Sequence, residues 1–490
     1  MQASLYFDGN EVPPPAFEDA VLRAAAGFER LGVREGDVVC LMLRNCPAFL
    51  EGLFGARRLG AYTCPVNWHF RADEAGWILR DSSARVLVIE SDLLAQVKDG
   101  IPPGVTVVQA GARQWRAWLA SHARHAGPER AARYSMPYTS GTTGRPKGIR
   151  RLAPPDAERA ARVLAESIKR VYGLQPGARA LLSAPVYHSA PNMYATQAIL
   201  LGATLFLESR FDAERTLQLI ERERITHAYL VPTMFSRMLK LPDAVKRRHD
   251  LSSMQFVLSM GSTCAPEVKR AMIEWWGPVI HESYAASELG IVTFITAAEA
   301  LERPGSAGRP IEGTLLKILD AEGRELPPRA TGLIYARNPT YTDFTYVNNE
   351  EARRELERDG LWTLGDMGWL DEDGYLYLSD RAVDMVISGG VNIYPAEIES
   401  ALIGMPGVAD CAVFGIPDPE FGESLAAAVQ SQAGVALTQE AVQSWLKERI
   451  AGYKVPRLIV FHDTLPREDS GKIFKRRLRA PYWEKAGREI

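Results

Sequence analysis

Short apolar runs alternate with stretches of helical periodicity along most of the chain, and this alternation restricts the architecture more than any other feature. Val21, Leu22, Ala25 and Phe28 recur at helical spacing between Phe17 and Leu31, and Gly32 supplies a stop. Asp37 to Leu43 (DVVCLML) then reads as a buried strand, Pro47 to Leu59 as a helix, and Ala84 to Ile89 (ARVLVI) as a further strand. Strands that are apolar along their whole length are buried on both faces, so helices must cover them, which is the texture of parallel sheets in α/β layers. The pattern returns around residues 212 to 232, where Asp212 is placed to cap a helix through Glu223 and ITHAYLVP reads as the next strand.

Two changes of texture follow. Residues 361 to 380, LWTLGDMGWLDEDGYLYLSD, carry turn residues (DEDG) between two aromatic-rich runs of hairpin type, which predicts a β-rich edge. Beyond Arg381 come a helix (Ala396 to Ile403), two strands (CAVFGI and LAAAVQ), a helix (Gln439 to Ile450) and a strand (LIVFHD), enough for a small separate α+β domain. A chain of 490 residues with 46% apolar content has material for more than one core. The expected division is a large α/β unit over 1–380 with a β-rich edge and a small unit over 381–490.

Charge and cysteine usage exclude several classes. Lys and Arg number 57 against 60 Asp and Glu, a formal net charge of −3, so the broad basic field that drives nucleic-acid binding is missing and no nucleic-acid partner is expected. The five cysteines, Cys40, Cys46, Cys64, Cys264 and Cys411, are scattered with no C-x-x-C pair, which fits a reducing compartment. The N-terminus lacks a signal-peptide pattern and no apolar run approaches the roughly 20 residues of a membrane span. A cytoplasmic protein is expected, with a peripheral membrane contact left open.

The stretch YTSGTTGRPKG, Tyr138 to Gly148, carries the most chemistry. Thr139, Ser140, Thr142 and Thr143 offer hydroxyls, Gly141 and Gly144 free backbone N–H groups for close approach, and Arg145 and Lys147 add cations, a set suited to phosphate. The Walker A pattern requires glycine directly before its lysine, and Pro146 stands there, so a P-loop NTPase is disfavoured. Taken alone, the stretch is also compatible with a surface Gly/Thr loop.

The stretch resembles, almost residue for residue, the signature phosphate loop of the adenylate-forming acyl-CoA synthetases. Seven further blocks stand in that family's order: PVYHSAP (185–191), GSTCAP (261–266), YAASE (284–288), PGSAGRP (304–310), GDMGWLDEDGYLYLSDR (365–381), ISGGVNIYPAEIE (387–399) and PREDSGKIFKRRLR (466–479). The resemblance implies an acyl- or aryl-CoA ligase that uses ATP, Mg²⁺ and CoA and whose small domain is mobile. It implies Glu288 as the magnesium carboxylate, Tyr284 against adenine, Ser287 (usually threonine in the family) toward a phosphate, and Gly261 and Ser262 lining the adenine and acyl pockets. A magnesium ion bridging phosphates needs a hard oxygen ligand, which Glu288 supplies. Asp366 has two acceptor oxygens to offer the ribose diol, and Arg381 a donor. Lys472 matches the family's catalytic lysine, whose ammonium bridges the attacking carboxylate and the α-phosphate, although KIFKRRLR by itself reads as a solvated basic face. Gly389 and Gly390 match the loop lining the pantetheine tunnel. The hinge position holds Val383 in place of the usual Asp or Lys, with Asp384 next, and Lys454 is a candidate for the CoA phosphates.

His188 stands where the family places an aromatic gate beside the carboxylate, and it either hydrogen-bonds or packs there. PVYHSAP contains no carboxylate, so burying an amino-acid ammonium would lack a counter-charge. Tyr187, Met193, Met260 and Ala285 suit an apolar tail, whether fatty, aromatic or alicyclic. The expected reaction joins a carboxylic acid to AMP with release of pyrophosphate and then transfers the acyl group to CoA. A carrier-protein thiol as acceptor, a luciferase-type oxidoreductase and a non-catalytic relative are the rivals, and a homodimer is the expectation from base rates.

Overall fold

In the computed structural model, which describes residues 4–139, 146–154, 156–381, 384–388, 391–419, 421–467 and 473–485, the first apolar runs form a parallel sheet. Val38–Met42 lies between Tyr62–Pro65 and Ala84–Ile89, with Thr106–Gln109 on the outside. Alternate residues of one strand serve two cores, as the period of two requires. Val39 and Leu41 face helices Pro14–Arg30 and Pro47–Arg58, whereas Val38, Cys40 and Met42 face Ala75, Ile78 and Leu79 of helix Ala72–Asp81. Both helices of the first face begin with proline in the first turn, where the missing N–H leaves no bond unmade.

A second, larger sheet carries the site. Its parallel part runs Leu5–Phe7, Thr204–Leu207, Arg179–Leu182, His227–Leu230, Phe256–Ser259 and Ile280–Ala286. Asp212 caps helix Ala213–Glu223 by accepting from the Arg215 N–H, and the strand His227–Leu230 follows, as the sequence predicts. From Gly290–Ile295 onward the sheet becomes antiparallel and continues through Ser306–Pro310, Leu376–Arg381, Leu361–Leu370, Gly332–Arg337 and Leu315–Leu319. The expected hairpin is therefore present, with Leu370 opposite Leu376 and the rings of Trp369 and Tyr377 stacked at 4.0 Å. The segments after Leu182, Ser259 and Ala286 all emerge at the carboxyl ends of parallel strands, the edge where open α/β sheets hold ligands.

The large sheet ends at Arg381 and a five-stranded sheet starts at Val386–Ser388. Here the strands differ from the expected runs. CAVFGI and LAAAVQ lie inside two longer strands, Val408–Asp418 and Gly422–Ser431, that pair antiparallel as a hairpin. Leu458–His462 then joins in parallel after helix Gln439–Lys447. This unit has its own core of Ile398, Leu402, Val413, Val429, Val442 and Leu446. Between the units, the Lys240 ammonium donates to the Ala409 carbonyl at 2.6 Å.

Two polar contacts, one fully buried and one partly so, fix the strand Ile280–Ala286 against its surroundings. Lys269, on helix Pro266–Trp276, meets Glu282 at 2.5 Å, with both side chains nearly inaccessible. His281 Nδ1 accepts from the Ala297 N–H at 3.2 Å, at the start of helix Ala297–Glu302, while its ring packs on Phe256.

Each contact predicts a stability effect. Removing one partner of the pair strands a charge in the interior, so Lys269→Ala or Glu282→Ala should cost about 3–5 kcal/mol in chemical denaturation. The double change Lys269→Met with Glu282→Leu should recover most of that loss. Burial holds the His281 imidazole down to about 4 from its usual 6.5, against a smaller upward pull from Glu299. The unfolded chain therefore binds a proton that the native state refuses, and this contribution is intact above pH 6.5 and lost as pH falls toward 4. Melting temperatures across this window should fall more steeply for the natural chain than for His281→Gln.

Candidate active site

One cleft of about 2910 Å³ runs along the carboxyl edge of the large sheet and under the small unit. Cavities for a single drug-sized ligand hold roughly 300–1,000 Å³, so this one has room for several ligands at once.

The phosphate-loop motif begins and ends on a hairpin stem. Tyr138–Thr139 pairs antiparallel with Lys147–Arg151, Tyr138 opposite Gly148 and Thr139 opposite Lys147. Ser140, Gly141, Thr142, Thr143 and Gly144 lie outside the described residues. The Tyr138 ring covers Gly148 so closely that a β-carbon there would come within 2.5 Å of it, which accounts for that glycine. Helix Ala72–Asp81 holds both ends of the stem. The Tyr138 hydroxyl donates to Asp81 Oδ2 at 2.8 Å, and the Trp77 indole N–H donates to the Pro146 carbonyl at 3.2 Å.

Glu288 follows the strand Ile280–Ala286, is nearly buried and faces the cleft. The Tyr346 hydroxyl donates to its Oε1 at 3.0 Å, and the Lys147 ammonium sits 5.3 Å from the centre of the same Tyr346 ring. Burial and the neighbouring Glu288 push the Tyr346 phenol well above its ordinary value, so it remains a donor. The turn that carries Glu288 is held from behind by Arg151, whose guanidinium donates to the carbonyls of Ser287 and Glu288 at 2.9 Å each and of Thr342 at 2.8 Å. The Ser287 hydroxyl lies 2.7 Å from that of Ser189, which joins the YAASE and PVYHSAP segments.

The Tyr284 hydroxyl donates to Asp366 Oδ2 at 2.6 Å, so the two residues read as adenine and ribose contacts are already fixed to each other. Asp366 also stands opposite Arg381 in the strand register. The Arg381 side chain and Gly389, Gly390, Val383 and Lys472 lie outside the described residues. Around that last position, Arg467, Ile473, Phe474 and Lys475 line the small-unit side of the cleft. Asp384 pairs with Arg479 at 3.5 Å, and Lys454 is held by Glu397 at 2.6 Å.

Gly261 and Ser262 line the cleft after strand Phe256–Ser259, and Gly261 adopts φ +105°, a region that glycine favours. His188 precedes helix Ser189–Leu200, and its ring lies 4.2 Å from that of Tyr187. Met193, Tyr229, Met260 and Ala285 line the same end and give it an apolar character. Cys264 also lines the cleft but is only 1% exposed, and burial raises its thiol pKa well above the ordinary value. Among the described residues no three His, Cys, Asp or Glu side chains cluster as a metal centre.

Four contributors escaped sequence reading: Tyr346, Arg151, Asp81 and Trp77. Tyr346 lies 58 residues from the carboxylate it serves, and neither it nor Arg151 carries a pattern of its own. Only Arg151 had a faint local signal, because it lies three residues beyond the phosphate-loop motif.

Comparison with known proteins agrees with this geometry. The sequence profile of the AMP-binding enzyme family matches residues 15–343, and that of the AMP-binding enzyme C-terminal domain matches 397–472. A feruloyl-CoA synthase of Streptomyces sp is 35% identical over 94% of this chain and 91% of its own length. An indoleacetate–CoA ligase of Aromatoleum aromaticum is 34% identical over 93% of this chain and 90% of its own. Among solved structures, the anthranilate CoA ligase AuaEII in complex with anthranoyl-AMP superposes with a TM-score of 0.87 at 27% identity, covering 99% of this chain and 95% of that one. The phosphate-loop stem, the Glu288 turn and the Tyr284–Asp366 pair meet in one cleft beneath a small C-terminal unit because this chain belongs to the AMP-binding enzyme family.

Proposed function

We propose that the chain is an AMP-forming acyl- or aryl-CoA synthetase. It activates a carboxylic acid with ATP to an acyl-AMP and pyrophosphate, and it then transfers the acyl group to the CoA thiol with release of AMP. The observation that carries this reading is the convergence of the phosphate-loop stem, Glu288 and the Tyr284–Asp366 pair on a cleft whose far end is apolar.

The roles follow from the contacts. Tyr284 and Asp366 take adenine and ribose, and their mutual hydrogen bond sets the phenol and the carboxylate before the nucleotide arrives. Lys147 and the hydroxyls and N–H groups of 139–144 bind the phosphates. Glu288 suits Mg²⁺, since this ion is usually held by one or two carboxylates together with substrate phosphates, and the Tyr346 hydroxyl orients its carboxylate toward that role. When bound, the ion would draw charge from the leaving pyrophosphate. The acid carboxylate would lie near His188, Ser189 and Gly261, its tail against Met193, Tyr229 and Met260. Lys472 comes from the small unit, which we place at 381–490, and brings its charge between carboxylate and α-phosphate, where two anions must otherwise approach unaided. Gly389 and Gly390 would line the route of pantetheine. Such chemistry belongs in the cytoplasm, where ATP and CoA are supplied.

Pyrophosphate release should depend on both a carboxylic acid and Mg²⁺, and a folded protein that adenylates no member of a broad acid panel refutes the reading. Lys472→Ala should lower adenylation at least about 100-fold, the scale of losing one preorganised charge at the transition state, while sparing thioester formation from preformed acyl-AMP. Equal loss of both half-reactions would remove that assignment. Tyr346→Phe leaves one Glu288 oxygen without its donor and should cost about 1–2 kcal/mol in kcat/KM for MgATP. Its signature is a changed Mg²⁺ requirement with an unchanged KM for the acid.

A further inference from the structure

The lining of the cleft also includes residues of helices Pro47–Arg58, Ala157–Tyr172 and Ser189–Leu200 that no role assigned above uses, and this part of it is termed the arm. Leu53, Arg57, Tyr134, Ser135, Asn192 and Thr196 line it. Most of its polar groups are spent internally. Ser135 donates to Asn192 Oδ1 at 2.8 Å and lies 3.1 Å from the Thr63 hydroxyl, and the Asn192 amide donates to the Val186 carbonyl.

Two donors are not spent. The partly buried Arg57 guanidinium has no hydrogen-bond or ion-pair partner among the described residues, whereas the adjacent Arg58 engages His125, Glu129 and the Gly127 carbonyl. The Thr196 hydroxyl, on a residue only 7% exposed, is buried without a hydrogen-bond partner. Arg133, also on the cleft wall, keeps a buried Nε–H unmatched while its other end reaches Glu35 at 3.3 Å. Glu35 pairs with Arg133 at 3.3 Å and Glu129 with Arg58 at 3.5 Å, and neither carboxylate lines the cleft. Removing a guanidinium from water without an anion is unfavourable, and burial lowers the Arg57 pKa despite opposing pulls from Glu129 and Tyr134. A ligand anion would reverse that cost, because guanidinium binds carboxylate through two parallel N–H bonds.

We propose that Arg57, with the Thr196 hydroxyl on the same cleft lining, receives a second anionic group of the acid substrate, so that the preferred substrate is a diacid whose remote carboxylate lies in this arm. The inference rests on the acyl-CoA synthetase reading, under which the reacting carboxylate is fixed near Ser189 and the rest of the acid must point away from the phosphates. An acid with a neutral tail would leave both donors unmatched in the complex, whereas a remote carboxylate uses them.

The test pairs linear α,ω-diacids and para-carboxylated arylalkanoic acids with their counterparts bearing methyl in place of the second carboxyl. Acid-dependent pyrophosphate release is measured for the natural chain, Arg57→Leu and Arg57→Lys. At least one diacid should exceed its monoacid partner in kcat/KM, and the diacid-to-monoacid ratio should fall at least about tenfold in Arg57→Leu, the loss of one charge-assisted contact. Arg57→Lys should keep part of that ratio. In the absence of acid, Arg57→Leu should melt no lower than the natural chain, because an uncompensated cation is being removed; an arginine kept for packing would melt lower. A ratio that Arg57→Leu leaves unchanged, or monoacids preferred throughout, overturns the inference and leaves the synthetase reading standing. Inorganic phosphate that raises the melting temperature of the natural chain but not of Arg57→Leu, with no diacid preference, assigns the arm to a free anion and likewise overturns it. No turnover with any acid of either kind removes the synthetase reading, and the inference with it.

Discussion

The Arg151 guanidinium is buried with no carboxylate in direct contact among the described residues, and three segments that are far apart in the chain depend on how its donors are satisfied. It lies on the strand that leaves the phosphate loop, donates to the carbonyls of Ser287 and Glu288, and donates to Thr342 in the segment that leads to Tyr346. The faces of Tyr341 and Tyr134 lie 4.9 and 5.9 Å from it and supply the remaining attraction for a desolvated cation. Every arm of this contact ends on a backbone carbonyl, so it fixes the course of the chain. The carboxylate of Glu288 remains turned to the cleft, with Tyr346 positioned by the same segment.

The small unit shows a related economy of charge. Its basic run lies against the cleft, and the structure pairs much of it with acids: Lys475 with Glu399 at 2.9 Å, Arg467 with Asp410 at 2.5 Å and Arg479 with Asp384 at 3.5 Å. The balance of 57 cations against 60 anions thus recurs on a local scale around the cleft. Pairing these small-unit cations leaves the electrostatic work to a few placed groups, which is how excess charge can be met at one point along a reaction.

What the sequence made legible was whatever its chemistry packs into a short contiguous stretch. The phosphate-loop stem, the Asp212 cap, the hairpin around DEDG and the YAASE turn are local, since the residues that define each lie within one turn or one strand pair. The two central strands of the first sheet, Val38–Met42 and Ala84–Ile89, were legible for a similar reason, because full burial writes itself as an unbroken apolar run, whereas the short strands Tyr62–Pro65 and Thr106–Gln109 carry no such run. The contacts that position these pieces were not. Tyr346 with Glu288, Arg151 with Thr342 and Trp77 with Pro146 join residues 58, 191 and 69 positions apart, and nothing in the local pattern of Tyr346, Thr342 or Trp77 marks the partner. The small unit was legible in the apolar centres CAVFGI and LAAAVQ, and the structure carries both strands further, to Val408–Asp418 and Gly422–Ser431, because their less buried ends pair across the hairpin without filling the core.

The burial of Cys264 has a chemical consequence. An acyl-adenylate is a mixed anhydride, and it would form in a cleft whose wall includes this thiol. A thiolate there would compete with the incoming thiol and leave the protein acylated on its own side chain. Because desolvation keeps Cys264 protonated, the intermediate would find no internal nucleophile of comparable reactivity at this position. The packing beneath the GSTCAP segment thereby protects the protein against acylation by its own product.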